Sequence, residues 1–184
     1  MSYSDELTKA MTWLGEQPET VFLGQQTVFP GNGLYRTLED VPLDKRIEMP
    51  VAEDMQMGIA IGMARAGKVP ITIYPRMDFL LLAMNQLVNH LDKYPAGVII
   101  RVCVGSKTPL DPGPQHSGDY SEGLESMLDE VRVIRLLHPL NIMPAYVGAY
   151  ARARSIQALN GDSTNCAPPR SHLLIEFGDR YGMV

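Results

Sequence analysis

Glu53 stands where a carboxyl group could exchange a proton with a ligand. With the adjacent Asp54, it precedes a run of mostly apolar and small residues, 55–67, that predicts a helix. Apolar surroundings favour the neutral form of a carboxyl group, which can then donate its proton. Alternatively, Glu53 or Asp54 caps this helix by accepting the free N–H groups of its first turn. Taken alone, this window favours the cap, because acids are common at helix starts.

His116 is a second candidate for proton transfer. It lies within residues 105–123, where glycines and prolines predict a long loop. Such loops often cover or bind a ligand, and an imidazole titrates near neutral pH. The alternative is an ordinary solvated histidine. Of the others, His90 falls in a helical pattern, His138 precedes a proline in a turn, and His172 begins a strand pattern.

Short apolar runs alternate with longer helical patterns along the chain. This alternation predicts an α/β fold, a mostly parallel sheet with helices on both faces. The predicted strands are 21–23, 46–49, 69–74, 98–104, 131–134 and 172–177. Two long helices are predicted, one from Asp78, as its cap, to Leu91 and one over 143–159.

The candidate reactive residues follow three of these strands. Glu53 comes after strand 46–49, Asp78 and Phe79 come after strand 69–74, and His116 comes after strand 98–104. Parallel sheets bind ligands at the carboxyl ends of their strands. We therefore expect these side chains to converge on one cleft.

Length and composition limit the function classes. A chain of 184 residues with 45% apolar content predicts a single domain over 1–184. A net charge of −5 without a long Lys/Arg run indicates no nucleic-acid partner, and no apolar run is long enough for a membrane span. No secretory signal is present, and Cys103 and Cys166 lack disulfide or zinc spacing, which predicts a cytoplasmic protein.

No metal site is predicted within this chain. The two acids Asp162 and Glu176 lack the spacing of a metal site, and they are predicted to be solvated loop residues. Motifs for a P-loop, a dinucleotide fold, a nucleophile elbow and a zinc protease are also missing from the sequence.

A family resemblance runs from Lys45 to Asn89 and beyond. The order is Pro50 and Glu53, a glycine- and alanine-rich helix, Pro70, Asp78-Phe79, Gln86 and Asn89, and later Gln115-His116-Ser117. This order resembles the pyrimidine-binding, transketolase-like domain of thiamine diphosphate-dependent enzymes. It is most similar to the beta subunits of 2-oxo acid dehydrogenase decarboxylating components, without their carboxyl-terminal domain. The ending HLLIEFGDRYG resembles the last strand of that domain, so nearly the whole chain is covered.

The resemblance implies a role for each candidate residue. Glu53 would hydrogen-bond a ring nitrogen of the cofactor's aminopyrimidine and activate it, Phe79 would pack against that ring, and His116 would act on the substrate or its adduct. Two cofactor-binding positions depart from the family: Pro75 replaces a methionine and Leu82 replaces a glutamine. In addition, Gln25-Gln26 stand where family members commonly carry acids.

The resemblance also implies a partner. The chain lacks the GDG and Asn-Asn signature that binds magnesium and diphosphate, so a diphosphate-binding, alpha-like subunit should hold most of the magnesium site in a heterotetramer. The implied reaction forms or breaks a C–C bond beside a carbonyl, with decarboxylation of a small 2-oxo acid as the first choice. A split transketolase, a sulfopyruvate- or phosphonopyruvate-type decarboxylase subunit and a non-catalytic assembly protein are the alternatives.

The spacing of Gly58 and Gly62 allows a close approach of another element to this helix. The resemblance implies packing against the same helix of a second copy across a dimer axis. Packing of the helix on its own sheet requires the same small residues, and the sequence does not decide between the two arrangements.

Overall fold

A computed structural model describes residues 2–30, 33–107, 111–154 and 170–182. The helices are α1 (Tyr3–Gly15), α2 (Gly33–Arg36), α3 (Glu53–Arg65), α4 (Met77–Leu80), α5 (Ser121–Met127) and α6 (Pro139–Ala153). The strands are β1 (Thr20–Gly24), β2 (Arg46–Glu48), β3 (Val69–Tyr74), β4 (Ile99–Val104), β5 (Arg132–Arg135) and β6 (His172–Phe177).

The six strands form one parallel sheet in the order β2-β1-β3-β4-β6-β5. Helices α1 and α6 pack on one face, and α3, α4 and α5 pack on the other. Every residue of β3 and β4 is buried, because both faces of the sheet are covered. The predicted α/β fold with a parallel sheet is confirmed. Within the described ranges, no helix has the length and apolar character required to cross a membrane.

The helix predicted from Asp78 to Leu91 is wrong as one continuous element. Helix α4 has 4 residues, a 3₁₀ turn covers Leu81–Ala83, and wide π-type turns cover Gln86–Asp92. Asp78 does not cap α4, because the residue before this helix is Arg76 and its side chain makes no capping bond. The apolar spacing of this stretch is compatible with α-helical, 3₁₀ and π-type turns, so it could not predict which of these forms the chain adopts.

The second long helix begins earlier than predicted. His138 accepts a hydrogen bond from the N–H of Leu140, and Pro139 occupies the first turn, where a missing N–H costs nothing. These two residues therefore start α6 at Pro139. The described part of this helix ends at Ala153, and 155–159 of the prediction lie outside the described residues.

Helix α3 is not buried on most of its sides. Its Glu53, Met57 and Ala60 side chains are buried, but Met55 is 46% exposed and Ile59 is 37% exposed. The adjoining turn Leu81–Ala83 contacts α3 and adds Leu82, which is 63% exposed. We call Met55, Ile59 and Leu82 the apolar face.

The two glycines of α3 are not needed for packing within the chain. A Cβ at Gly62 would meet no atom within 4 Å, and one at Gly58 would meet only ordinary contacts with Gln86. Packing of α3 on its own sheet therefore does not explain why these positions are small. The alternative, close approach by a second copy, is compatible with the open space beside Gly62.

Glu176 is a buried ion-pair residue, and its prediction as a solvated loop acid is wrong. On β6 it accepts bonds from Arg101 Nε at 2.7 Å and Nη2 at 3.0 Å, and both side chains are fully buried. Tyr146 and Tyr181 also donate to its carboxylate. Asp162, the other acid predicted to be solvated, lies outside the described residues, and so does Cys166. In the described part of the chain, no group of three His, Cys, Asp or Glu side chains could hold a metal.

Candidate active site

Glu53 is the first residue of α3, and its side chain is only 4% exposed. The residue before it is Ala52, which provides no capping side chain. Asp54 is exposed and accepts a bond from Gln86 at 3.3 Å, so neither acid caps the helix. The cap interpretation is therefore wrong, and Glu53 lies buried where the helix dipole favours its charge.

Gln25 connects Glu53 to the end of β1. Its Nε2 donates to Glu53 Oε1 at 2.8 Å, whereas no donor among the described residues reaches Oε2. Tyr74, at the end of β3, donates from its hydroxyl to the backbone carbonyl of Glu53 at 3.3 Å. Burial, together with the nearby Glu53 charge, raises the pKa of Tyr74 well above its usual range. Tyr74 therefore stays a protonated donor at the start of α3.

Glu48 shapes the turn that presents Gln25. The carboxylate of Glu48 accepts backbone N–H bonds from Gln26 at 2.6 Å, Thr27 at 2.9 Å and Val28 at 2.8 Å. Gln26 has a φ of +59°, which is uncommon for a residue with a side chain. Such backbone persists where the surroundings fix it, and here three bonds to one carboxylate do so.

Phe79 and His116 face each other across the neighbouring strand ends. Phe79 belongs to α4, after β3, and His116 belongs to a single 3₁₀ turn, Pro114–His116, in the loop after β4. Their rings meet edge to face with centroids 5.4 Å apart. The Nδ1 atom of His116 is buried and has no hydrogen-bond partner among the described residues. His116 is thus held against an aromatic ring rather than freely solvated.

Two features bring the His116 loop to this position. Gly105 follows β4, and a Cβ there would lie 1.7 Å from the carbonyl oxygen of His116, so only glycine permits this approach. Asp78 accepts bonds from the Gly118 N–H at 3.3 Å and from the Tyr120 hydroxyl at 3.2 Å. The Asp78 charge and this bond raise the pKa of Tyr120. Asp78 thus fixes the loop to α4 instead of capping a helix.

These elements enclose one cleft of about 240 Å³. Its lining consists of Gln25, Gln26, Pro75, Arg76, Phe79, Pro112 and His116. The predicted residues Pro75, Phe79 and His116 are therefore together, and Gln25 joins the cleft to Glu53. Leu82 is exposed and outside this lining, so its cofactor contact stays a prediction.

The structure adds Arg76, Glu48 and the contact of Gln25 to the predicted site. Arg76 is the one cationic side chain of the lining, and its Nη1 donates to the carbonyl of Pro75 at 2.8 Å. Its place directly after β3 is the signal that could have identified it. Glu48 likewise ends β2, but its role could not be predicted because it depends on a turn 20 to 22 residues away.

The residues present fit the pyrimidine half of thiamine diphosphate. A flat, weakly basic heterocycle requires a buried acid to exchange a proton and an aromatic side chain to pack against. Glu53 has a carboxylate oxygen that no described donor occupies, and Phe79 supplies the ring. The His116 Nδ1, which has no hydrogen-bond partner among the described residues, is a group at this cleft that a ligand could satisfy.

Comparison with known proteins gives one family and several relatives. Residues 1–159 match the family described as transketolase, pyrimidine binding domain. The chain is 31% identical over 123 residues to the pyruvate dehydrogenase E1 component subunit beta of Cyanidium caldarium, covering 64% of this chain and 38% of that protein. The same-named subunit of Gracilaria tenuistipitata var. liui is 29% identical over 139 residues, or 72% of this chain and 43% of that protein.

Among solved structures, a similar chain is "Split gene transketolase, inactive beta4 tetramer", with a TM-score of 0.68 and 16% identity. The match covers 96% of this chain and 51% of that chain. At this identity the likeness concerns the fold alone. The matched regions span about two fifths of the curated relatives' length.

Proposed function

Because this chain belongs to the transketolase pyrimidine-binding domain family, we propose that it is the pyrimidine-binding subunit of a thiamine diphosphate-dependent enzyme completed by a second chain. The family uses thiamine diphosphate, and its members named above are enzyme subunits. The observation that carries the proposal is the buried Glu53 carboxylate, joined through Gln25 to a cleft that contains Phe79 and His116.

Glu53 would hold and release the proton that activates the cofactor. Its buried position excludes most water, which strengthens a hydrogen bond from Oε2 to a ring nitrogen. Gln25 fixes the other oxygen through its hydrogen bond, which leaves Oε2 as the atom that would face the ligand. Phe79 would bind the pyrimidine ring, with Pro75 beside it.

The reaction we propose is decarboxylation of a small 2-oxo acid. Thiamine diphosphate, when bound, supplies a carbon nucleophile for the carbonyl and accepts the electrons released as the adjacent C–C bond breaks. Arg76 supports an anionic substrate, because its guanidinium is the one cation among the described residues that line the cleft. His116 would donate a proton to, or accept one from, the substrate at the opposite wall.

The partner we propose is an alpha-like subunit that binds the diphosphate and most of the magnesium coordination shell. The described residues contain no cluster of metal ligands to do this. The apolar face of α3 supports association with a second copy, because exposed apolar residues in one patch mark interaction sites. In the proposed heterotetramer, each copy of this chain contacts an alpha-like subunit and, through the apolar face, a second copy of itself. The cytoplasm is the proposed location of this assembly.

Co-expression tests the proposed function directly. We expect this chain alone to show background turnover of 2-oxo acids, and the co-purified pair to show magnesium- and thiamine diphosphate-dependent decarboxylation. The partner for the test is a chain encoded beside this one that carries the GDG and Asn-Asn signature. Carbon dioxide release from a panel of 2-oxo acids measures the activity, and a ketose phosphate panel detects ketol transfer. Light scattering should give two copies of each chain.

Equal activity of the lone chain and the pair would contradict the split site. A pair that forms but remains inactive on both panels, with bound cofactor, would contradict the catalytic role and favour an assembly protein. Activity on ketose phosphates alone would support the proposed cofactor but would contradict a 2-oxo acid as the substrate.

The His116→Gln variant should lower turnover of the active pair by about 100-fold, within the range for losing one general acid or base. Glutamine preserves polarity but cannot transfer a proton, so magnesium and cofactor affinity should change little. Steady-state kinetics and cofactor titration separate the two effects. His90→Gln is the matched control, because His90 is an exposed histidine in the π-type turns. Equal turnover by both variants would remove His116 from the chemistry.

A further inference from the structure

A second cleft, of about 440 Å³, lies between α6 and the edge strand β5. It shares no lining residue with the candidate active site. Four arginines line it: Arg132, Arg135, Arg152 and Arg170. We call this region the basic cleft.

The charge of the basic cleft is opposite to that of the whole chain. The chain has a net charge of −5, yet four of its 16 Lys and Arg residues line this cleft, and no Asp or Glu is among the described residues that do. Acids lie in the neighbouring cleft, which shares Arg132 and Arg170 and is also lined by Glu125, Asp129 and Glu130. Such a local concentration of cations attracts anions even to an acidic protein. The candidate active site does not account for this concentration of charge, because that site follows the ends of β1, β3 and β4 and shares no lining residue with the basic cleft.

Only half of these arginines have a carboxylate partner. Arg135 pairs with Glu125 at 3.3 Å, and Arg170 pairs with Glu130 at 3.4 Å. In the part of the chain that the structure describes, no carboxylate lies within 4.0 Å of Arg132 or Arg152. Among the described residues, the guanidinium groups of Arg132 and Arg152 therefore have no carboxylate partner.

The buried His172 reports the same positive field. Burial lowers its pKa, and Arg132, Arg152 and Arg170 lower it further. The side chain is 5% exposed, and its Nδ1 lies 3.2 Å from the carbonyl of Arg170. The bond to the Arg170 carbonyl opposes this lowering of the pKa, but burial and the three positive charges outweigh it.

Besides the arginines, Asn141 and His172, the lining is apolar and has room for a ring. Ile134, Pro144 and Ala145 contribute apolar surface, and a Cβ at Gly148 would meet no atom within 4 Å. The volume falls within the range of about 300–1,000 Å³ that small-molecule sites occupy. Guanidinium groups bind phosphate through paired hydrogen bonds.

We propose that the basic cleft is a second binding site, and that it takes a phosphorylated small molecule with a flat apolar portion, of the nucleotide class. Arg132 and Arg152 bind the phosphate groups, and the strip of α6 around Gly148 packs against the ring.

Titration of the full chain with trinitrophenyl-ATP, a fluorescent nucleotide, tests the site. The Arg132→Gln/Arg152→Gln double variant should bind about tenfold or more weakly, because each guanidinium loses a charge-assisted hydrogen bond. Gly148→Leu should abolish binding by filling the open space, with an unchanged circular dichroism spectrum and an unchanged or raised melting temperature, because leucine favours a helix more than glycine does. Arg65→Gln, which removes an exposed arginine of α3, is the control and should bind normally.

Competition by inorganic tripolyphosphate should displace the probe at higher concentration than ATP does, because tripolyphosphate lacks the ring. No binding by the unaltered chain, or equal binding by all variants, overturns the proposal. Weakening in the double arginine variant with no effect of Gly148→Leu also overturns it, since that result means general attraction of anions to the surface. Each outcome is independent of decarboxylase activity.

Discussion

The Glu53→Gln variant, assembled with its partner, should turn over about 10³- to 10⁴-fold more slowly than the unaltered pair. Glutamine has nearly the same shape, and its oxygen can still accept the bond from Gln25. It cannot release a proton to the cofactor, so the loss falls on turnover rather than on assembly. Stopped-flow or steady-state turnover measures it, with thermal unfolding and light scattering as checks of fold and assembly.

Asp54→Asn is the matched control for this prediction. It removes the same charge from the same first turn of α3, but Asp54 is exposed and bonds Gln86 rather than the cleft. Any effect that acts only through the helix dipole should appear in both variants, and it should be small at an exposed position. Comparable turnover of the two variants would assign Glu53 a structural role.

The second large effect concerns stability. Arg101→Met should lower the free energy of unfolding by about 3–5 kcal/mol, because it leaves the buried Glu176 carboxylate without its counter-charge. Tyr146 and Tyr181 would still donate hydrogen bonds to this carboxylate. Both phenols stay protonated, because burial and the Glu176 charge raise their pKa. Urea unfolding followed by tryptophan fluorescence gives the free energy.

The double variant Arg101→Met/Glu176→Gln distinguishes a lost ion pair from lost packing. The neutral amide retains an acceptor for Tyr146 but carries no charge to bury, so the double variant should be more stable than Arg101→Met alone. If it is no more stable, the Arg101 effect arises from side-chain volume. A change of less than about 1 kcal/mol in the single variant would contradict the burial of this pair.

The fold was predictable because parallel strands that are buried on both faces are continuously apolar. Such runs differ clearly from the spaced apolar residues of helices. Strand β3 was predicted with the correct bounds, and β5 was predicted one residue too early. Two errors were local, the continuous helix predicted after Asp78 and the late start predicted for α6, and a third occurred where a partner is distant in sequence. The predicted surface acid Glu176 pairs with Arg101, 75 residues away, and no local pattern contains that information.

The candidate site was predictable to a similar degree. Glu53, Phe79 and His116 follow strands of the same sheet, so topology alone brings them to one edge. The bond from Gln25 depends instead on the turn held by Glu48, and the position of the His116 loop depends on contacts with Asp78. Such contacts arise from loop geometry, which residue spacing does not specify.

The apolar face of α3 has a consequence for how much of this protein a cell can tolerate. Met55, Ile59 and Leu82 are exposed on the single chain, and such patches favour aggregation and recognition by chaperones and proteases when they remain uncovered. Under the proposed assembly, a copy made in excess of the partner subunit should therefore be degraded rather than accumulate. Synthesis of the subunits in matched amounts, as from one messenger RNA, then becomes a condition of yield.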